Sequence, residues 1–128
     1  MGSLGYGSPT PIAPVIQYQD TGGLKNGRFW IGLSPGERIG FIIGFDQARA
    51  LGSLSDTYWP DGSTAGEVAK GVDQFYEDPA NVALHVGAAL SVFYWKVHGD
   101  TAEQLAAYTA ALRSEASDQT ARDAAKKK

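Results

Sequence analysis

Apolar residues recur along most of this chain at the three- and four-residue spacing of helices, with no alternating run longer than a few residues. In "NGRFWIGL", Asn26 is placed to cap a short helical turn carrying Phe29, Trp30 and Leu33. "SPGE" follows as a compact helix start. Ser34 sits at the cap, Pro35 at the first helical position, and Glu37 where a carboxylate reaches back to the cap. The helix it opens, "PGERIGFIIGFDQARALG", repeats Gly36, Gly40, Gly44, Ala48 and Gly52 every four residues, flanked by Ile39, Phe41, Ile43 and Phe45. A glycine inside a helix costs ~1 kcal/mol relative to alanine. The stripe of Gly36, Gly40, Gly44 and Ala48 therefore predicts close approach by another helix or by a partner.

"TAGE" repeats the capping signal with Thr64 and Glu67, and Val68, Val72 and Phe75 mark the buried face of a second long helix. A third is predicted from about Pro79 to His98, apolar on nearly every side, and is the expected partner of the glycine stripe. Gly99 ends it. "DTAE" starts the last helix, with Asp100 or Thr101 as cap and Leu105, Tyr108 and Leu112 as its apolar stripe. Beyond Ser114 the chain turns polar and is expected to fray. "SLSDTYWPDGS" reads as a loop whose Tyr58 and Trp59 are candidate partner-binding aromatics. Residues 1–23 are rich in Gly, Ser and Pro and carry no charge before Asp20, which predicts an extended arm. The fold expected is all-α: a compact bundle of about four helices over residues 24–114, an N-terminal arm over 1–23, and a polar tail over 115–128.

The stretch "FYEDPAN" gathers Tyr76, Asp78, Pro79 and Asn81. Pro79 forces extended backbone angles on the residue before it, so the second helix must stop by about Glu77. Asp78 then stands as the cap of the next helix, its side chain placed to accept the amide of Asn81. That makes a structural corner. A chemical alternative uses Asp78, Asn81 and His85, which would share one face of a continuous helix. A carboxylate and a histidine two turns apart, about 10 Å along the axis, cannot touch, and no nucleophile stands beside them. His85 is instead expected at the edge of the core, bonded to a backbone carbonyl.

Composition narrows the function classes further. The 128 residues suit one domain, with 43% hydrophobic and 20% charged positions. With no cysteine, disulfides, thiolate catalysis and zinc-finger sites are excluded. A formal charge of −3 argues against nucleic acid as a partner, and the one basic cluster is Lys126–Lys128. The most apolar run, Val82–Val97, has 16 residues, fewer than the ~20 that cross a bilayer, so no transmembrane helix is expected. The N-terminus has neither early basic residues nor a long apolar stretch, and does not read as a signal peptide. His85 and His98 lie 13 residues apart with no metal-ligand spacing, and no phosphate-cradling loop is present, so no metal or other cofactor is expected.

"NGRFWIGLSPGERIGFIIGF", "TAGEVAKGVDQFYEDPANVAL" and "ALSVFYWKVHGDTAEQLAAYTAALR" together resemble a group of small bacterial helical proteins, many of them exported. More distantly they are similar to the type VI secretion amidase immunity proteins. The resemblance covers about residues 26–113 and rests on "GRFW", "GFIIGF" and "FYEDPAN", none of which is a catalytic signature. It implies a compact helical module that acts by binding, in a periplasmic or exported setting. The function expected is thus a non-enzymatic protein-binding module or an accessory subunit of a larger bacterial assembly. The alternatives are an immunity-type inhibitor of a cell-wall hydrolase, or a small hydrolase using Asp78, Asn81 and His85.

Overall fold

The computed structural model describes residues 19–52, 59–60 and 62–126. The first element among the described residues is a hairpin of two-residue strands, β1 (Asp20–Thr21) and β2 (Leu24–Lys25), paired antiparallel with Thr21 opposite Leu24. Gly22 and Gly23 make the turn at φ +60° and +81°, the left-handed pair that a two-residue hairpin loop of this twist requires. The expected arm therefore ends in a fold-back at residues 19–25, and residues 1–18 lie outside the described residues. Four strand residues are too few for a period-two signal to show in the sequence.

Five α-helices follow among the described residues: α1 (Gly27–Ile31), α2 (Pro35–Leu51), α3 (Ala65–Phe75), α4 (Val86–Val97) and α5 (Ala102–Lys126). The described chain is mostly helical, as an all-α reading requires. The starts obey local chemistry. Asn26 accepts the Arg28 amide at 3.0 Å. Ser34 with Glu37, and Thr64 with Glu67, form reciprocal capping boxes. Thr101 caps α5, exchanging bonds with Gln104 at 2.9 and 3.1 Å.

Helices adjacent in sequence pack against one another from α2 to α5, most extensively α3 on α4. Trp30, Ile42, Val68, Val72 and Leu90 are at most 1% exposed and join α1 through α4 in one core. Two glycines allow close approaches. A Cβ at Gly71 of α3 would lie 2.2 Å from the Phe93 ring of α4, and one at Gly27 would lie 2.6 Å from the Tyr76 ring.

The α2 glycine stripe behaves otherwise. Apart from the backbone of α2 itself and the adjoining residues, no described atom lies within 4 Å of where Cβ atoms at Gly36, Gly40 or Gly44 would be, and all three are exposed. The expected crossing of this stripe by the apolar helix does not occur. α2 is turned so that Ile42, Phe41 and Phe45 meet the core, because two aromatic rings and an isoleucine remove far more apolar surface from water than glycines can. The helix that is crossed closely at a glycine is α3.

Two further expectations change. The helix expected from Pro79 to His98 is broken: Pro79–Asn81 form a single 3₁₀ turn, and α4 begins at Val86. His85 between them is extended (φ −70°, ψ 160°) and forms an isolated antiparallel bridge with Asn26. Its backbone thus belongs to the hairpin side of the molecule rather than to a helix. Among the described residues beyond Ser114 the chain stays helical, since α5 runs on to Lys126 and crosses the expected boundary at 114. Ala116, Ala121, Ala124 and Ala125 carry strong helix propensity through that segment, and Gln119 packs against the hairpin turn at Gly22.

Candidate functional site

Three places combine residues singled out in the sequence with geometry that matters. The first is the corner. Asp78 accepts the Ala80 amide at 2.9 Å, and its backbone carbonyl takes the Asn81 amide at 2.9 Å. The cap therefore serves one residue earlier than expected, because a 3₁₀ turn is tighter than an α-helical one. Asn81 is buried and donates to the Phe75 carbonyl at 2.8 Å, tying the new turn to the end of α3. Tyr76 is also buried, and its hydroxyl donates to the Leu84 carbonyl at 2.7 Å. Burial pushes the Tyr76 phenol well above its ordinary range, so it stays neutral.

Arg113 of α5, which the sequence did not single out, holds this corner from outside. Its Nε donates to Asn81 Oδ1 at 2.8 Å and its Nη2 to Asp78 Oδ2 at 2.9 Å. The fork locks α5 onto the corner, although the Asp78 pair is exposed enough to contribute little as an ion pair. A second unforeseen network lies under α1. Asp73 accepts from the Trp30 indole at 2.7 Å and from Arg38 at 3.1 Å, while Arg38 also donates to the carbonyls of Trp30 and Ile31. Nothing in the spacing of residues 30, 38 and 73 signals this meeting, since three different helices bring them together.

The second place is His85. Its ring accepts the Ala88 amide through Nδ1 at 3.1 Å, so His85 caps α4 rather than donating to a backbone carbonyl as expected. The bond fixes the tautomer, leaving Nε2 to carry the proton. Gly87 makes room, since a Cβ there would lie 2.9 Å from Nδ1. Burial lowers the pKa of His85 from its ordinary value, and the charge of Glu115 opposes that shift. The ring lines a cleft of about 160 Å³ between the hairpin, the start of α4 and the middle of α5, with Glu115 and Gln119 on the far wall. Asp78, Asn81 and His85 share no helix face, and the polar atoms described here are bonded to backbone or to Arg113.

The third place is the outer face of α2. Gly36, Gly40, Gly44 and Ala48 are exposed, beside Ile39 at 39% and Ile43 at 49% exposure. The face carries no charge along Gly36, Ile39, Gly40, Ile43, Gly44 and Ala48. Of the two candidate aromatics, Tyr58 lies outside the described residues. Trp59 does not project freely: it is half-buried, stacked on Phe45 with centroids 6.1 Å apart, and covered by the Arg49 guanidinium at 5.3 Å.

Among the described residues no group of three His, Asp or Glu side chains is placed to hold a metal, and no helix is long and apolar enough to cross a membrane. Compared with protein-family models, curated proteins and solved structures, the chain matches none.

Proposed function

We propose that this protein is a non-enzymatic helical binding module, an accessory subunit of a larger assembly, and that the outer face of α2 receives a helix of its protein partner. One observation carries the reading: a helix of 17 residues keeps two interior glycines, Gly40 and Gly44, in register with Gly36 of its first turn on an exposed, uncharged face bordered by two exposed isoleucines. Each such glycine costs about 1 kcal/mol against alanine, and packing inside the described fold does not offset it. A partner helix would, because side-chain-free positions let two helix backbones approach closely while the isoleucines bury apolar surface. An apolar face of this kind, rimmed by the charges of Glu37 and Arg49, has the make-up of a protein contact rather than of a reaction centre.

The test is Gly44→Leu. As no described atom is near, the variant should melt at or above the parent temperature. In affinity capture from the native cell, a protein retained by the parent should be lost by the variant. A variant that melts lower, or that retains every protein the parent retains, sinks the reading.

A further inference from the structure

The cap on α4 is unusual in its chemistry. Most helix N-caps are Ser, Thr, Asp or Asn, whose oxygens accept an amide at any physiological pH. His85 accepts with a ring nitrogen, and a nitrogen that gains a proton becomes a donor. The Ala88 amide would then face an N–H, and the cap would turn from attraction to repulsion. The same amide also donates to the His85 carbonyl at 2.9 Å, so it would keep one partner when the ring leaves.

Room and a destination for the ring are both present. The cleft of about 160 Å³ adjoins it, comparable to a cavity that accommodates a benzene-sized group. Of the ten residues lining that cleft, Glu115 on α5 is the only charged one besides a protonated His85. The hairpin wall contributes Thr21, Gly22 and Leu24 there, while its charges, Asp20 and Lys25, pair with each other at 3.1 Å. The corner's Asp78 is taken by Arg113, and α4 has no charged side chain before Lys96.

We propose that His85 is a proton-operated latch: with Nδ1 free it caps α4, and on gaining a proton it leaves the Ala88 amide and turns across the cleft to pair with Glu115 on α5. The proton comes from solvent and no bond other than N–H is made or broken. The latch joins three elements at once, since the His85 backbone is bridged to Asn26 at the end of the hairpin, its ring caps α4, and Glu115 belongs to α5. Acidification therefore loosens the first turn of α4 while strengthening the tie from the loop before it to α5.

The sign follows from the geometry. The folded protein favours the neutral ring, so the cap is complete above the ordinary histidine pKa and is lost as pH falls through the lower value of the folded state. The experiment is an NMR titration of the intact protein from pH 8 down to pH 4.5, following the His85 ring protons and the Ala88 amide together. Both should move with one midpoint. Protection of the Ala88 amide from exchange, corrected for its intrinsic rate, should fall by roughly 2- to 10-fold, the lower part of the range for loss of a cap because the carbonyl bond remains. In His85→Asn, which caps without titrating, that fall should vanish. In Glu115→Gln, the His85 midpoint should move to lower pH. His98 is exposed at the opposite end of α4, its ring bonded to the Tyr94 carbonyl, so His98→Gln should leave the Ala88 titration unchanged. Different midpoints for ring and amide, or an undiminished fall in His85→Asn, would overturn the latch. An unmoved midpoint in Glu115→Gln would overturn its pairing with α5.

Discussion

Adding one methyl group to Gly71 tests whether α3 and α4 meet where the structure brings them. In Gly71→Ala the new carbon would lie 2.2, 2.5 and 2.9 Å from Cδ1, Cε1 and Cγ of Phe93. Carbon atoms in good contact are 3.5–4.0 Å apart, so the ring must retreat by more than about 1 Å. The closeness of Cγ matters, because it is the root of the ring and cannot move without turning the whole side chain. Overpacking of this kind costs about 1–3 kcal/mol, and alanine returns about 1 kcal/mol through helix propensity. With three contacts below 3.0 Å the upper part of the range applies, and the net loss should be about 1–2 kcal/mol. Gly44→Ala is the same chemical change on a helix face that no described atom approaches, and should gain up to about 1 kcal/mol. Urea unfolding followed by circular dichroism should therefore move the two midpoints in opposite directions at unchanged slope. Shortening the obstacle in Gly71→Ala with Phe93→Leu should recover much of the loss, the sign of direct coupling. If both alanine variants shift the midpoint the same way, the packing of α3 on α4 described here is wrong.

Two other substitutions probe the corner and the network beneath α1. Asp78→Ala should lower stability by roughly 0.5–2 kcal/mol in a urea titration, and Asp78→Ser should recover most of it, since serine can accept the Ala80 amide while giving up only an exposed pair with Arg113; a serine variant no better than alanine would refute the cap. Asp73→Ala removes the acceptor of the Trp30 indole and of Arg38 and should cost roughly 1–3 kcal/mol by the same measurement, whereas Asp73→Asn, which keeps an acceptor oxygen, should cost less; equal losses would show that charge rather than the hydrogen bond holds Trp30.

Helix starts were legible in the sequence because a cap is a local device: Ser34, Thr64 and Thr101 bond to residues three positions away, and the chemistry of four consecutive residues decides the outcome. The stop of α3 before Pro79 and the buried spacing of Val68 and Val72 were legible for the same reason, as backbone sterics and a 3.6-residue period need no distant partner. The cleft and both polar networks were not. Arg113 reaches Asp78 across 35 positions and Asp73 reaches Arg38 across 35, and no spacing along the chain encodes such meetings. His85 shows the division within one residue. Its sequence context places it inside an apolar helix at the edge of the core, whereas in the fold it is bridged to Asn26 and caps the helix that follows. The α2 stripe shows it most sharply. The sequence determined that Gly36, Gly40 and Gly44 share a face, because helical geometry alone decides that. Which way the face points was decided by competition among all the surfaces of α2 for the core, and Phe41, Ile42 and Phe45 prevailed because burying them releases the most apolar area from water.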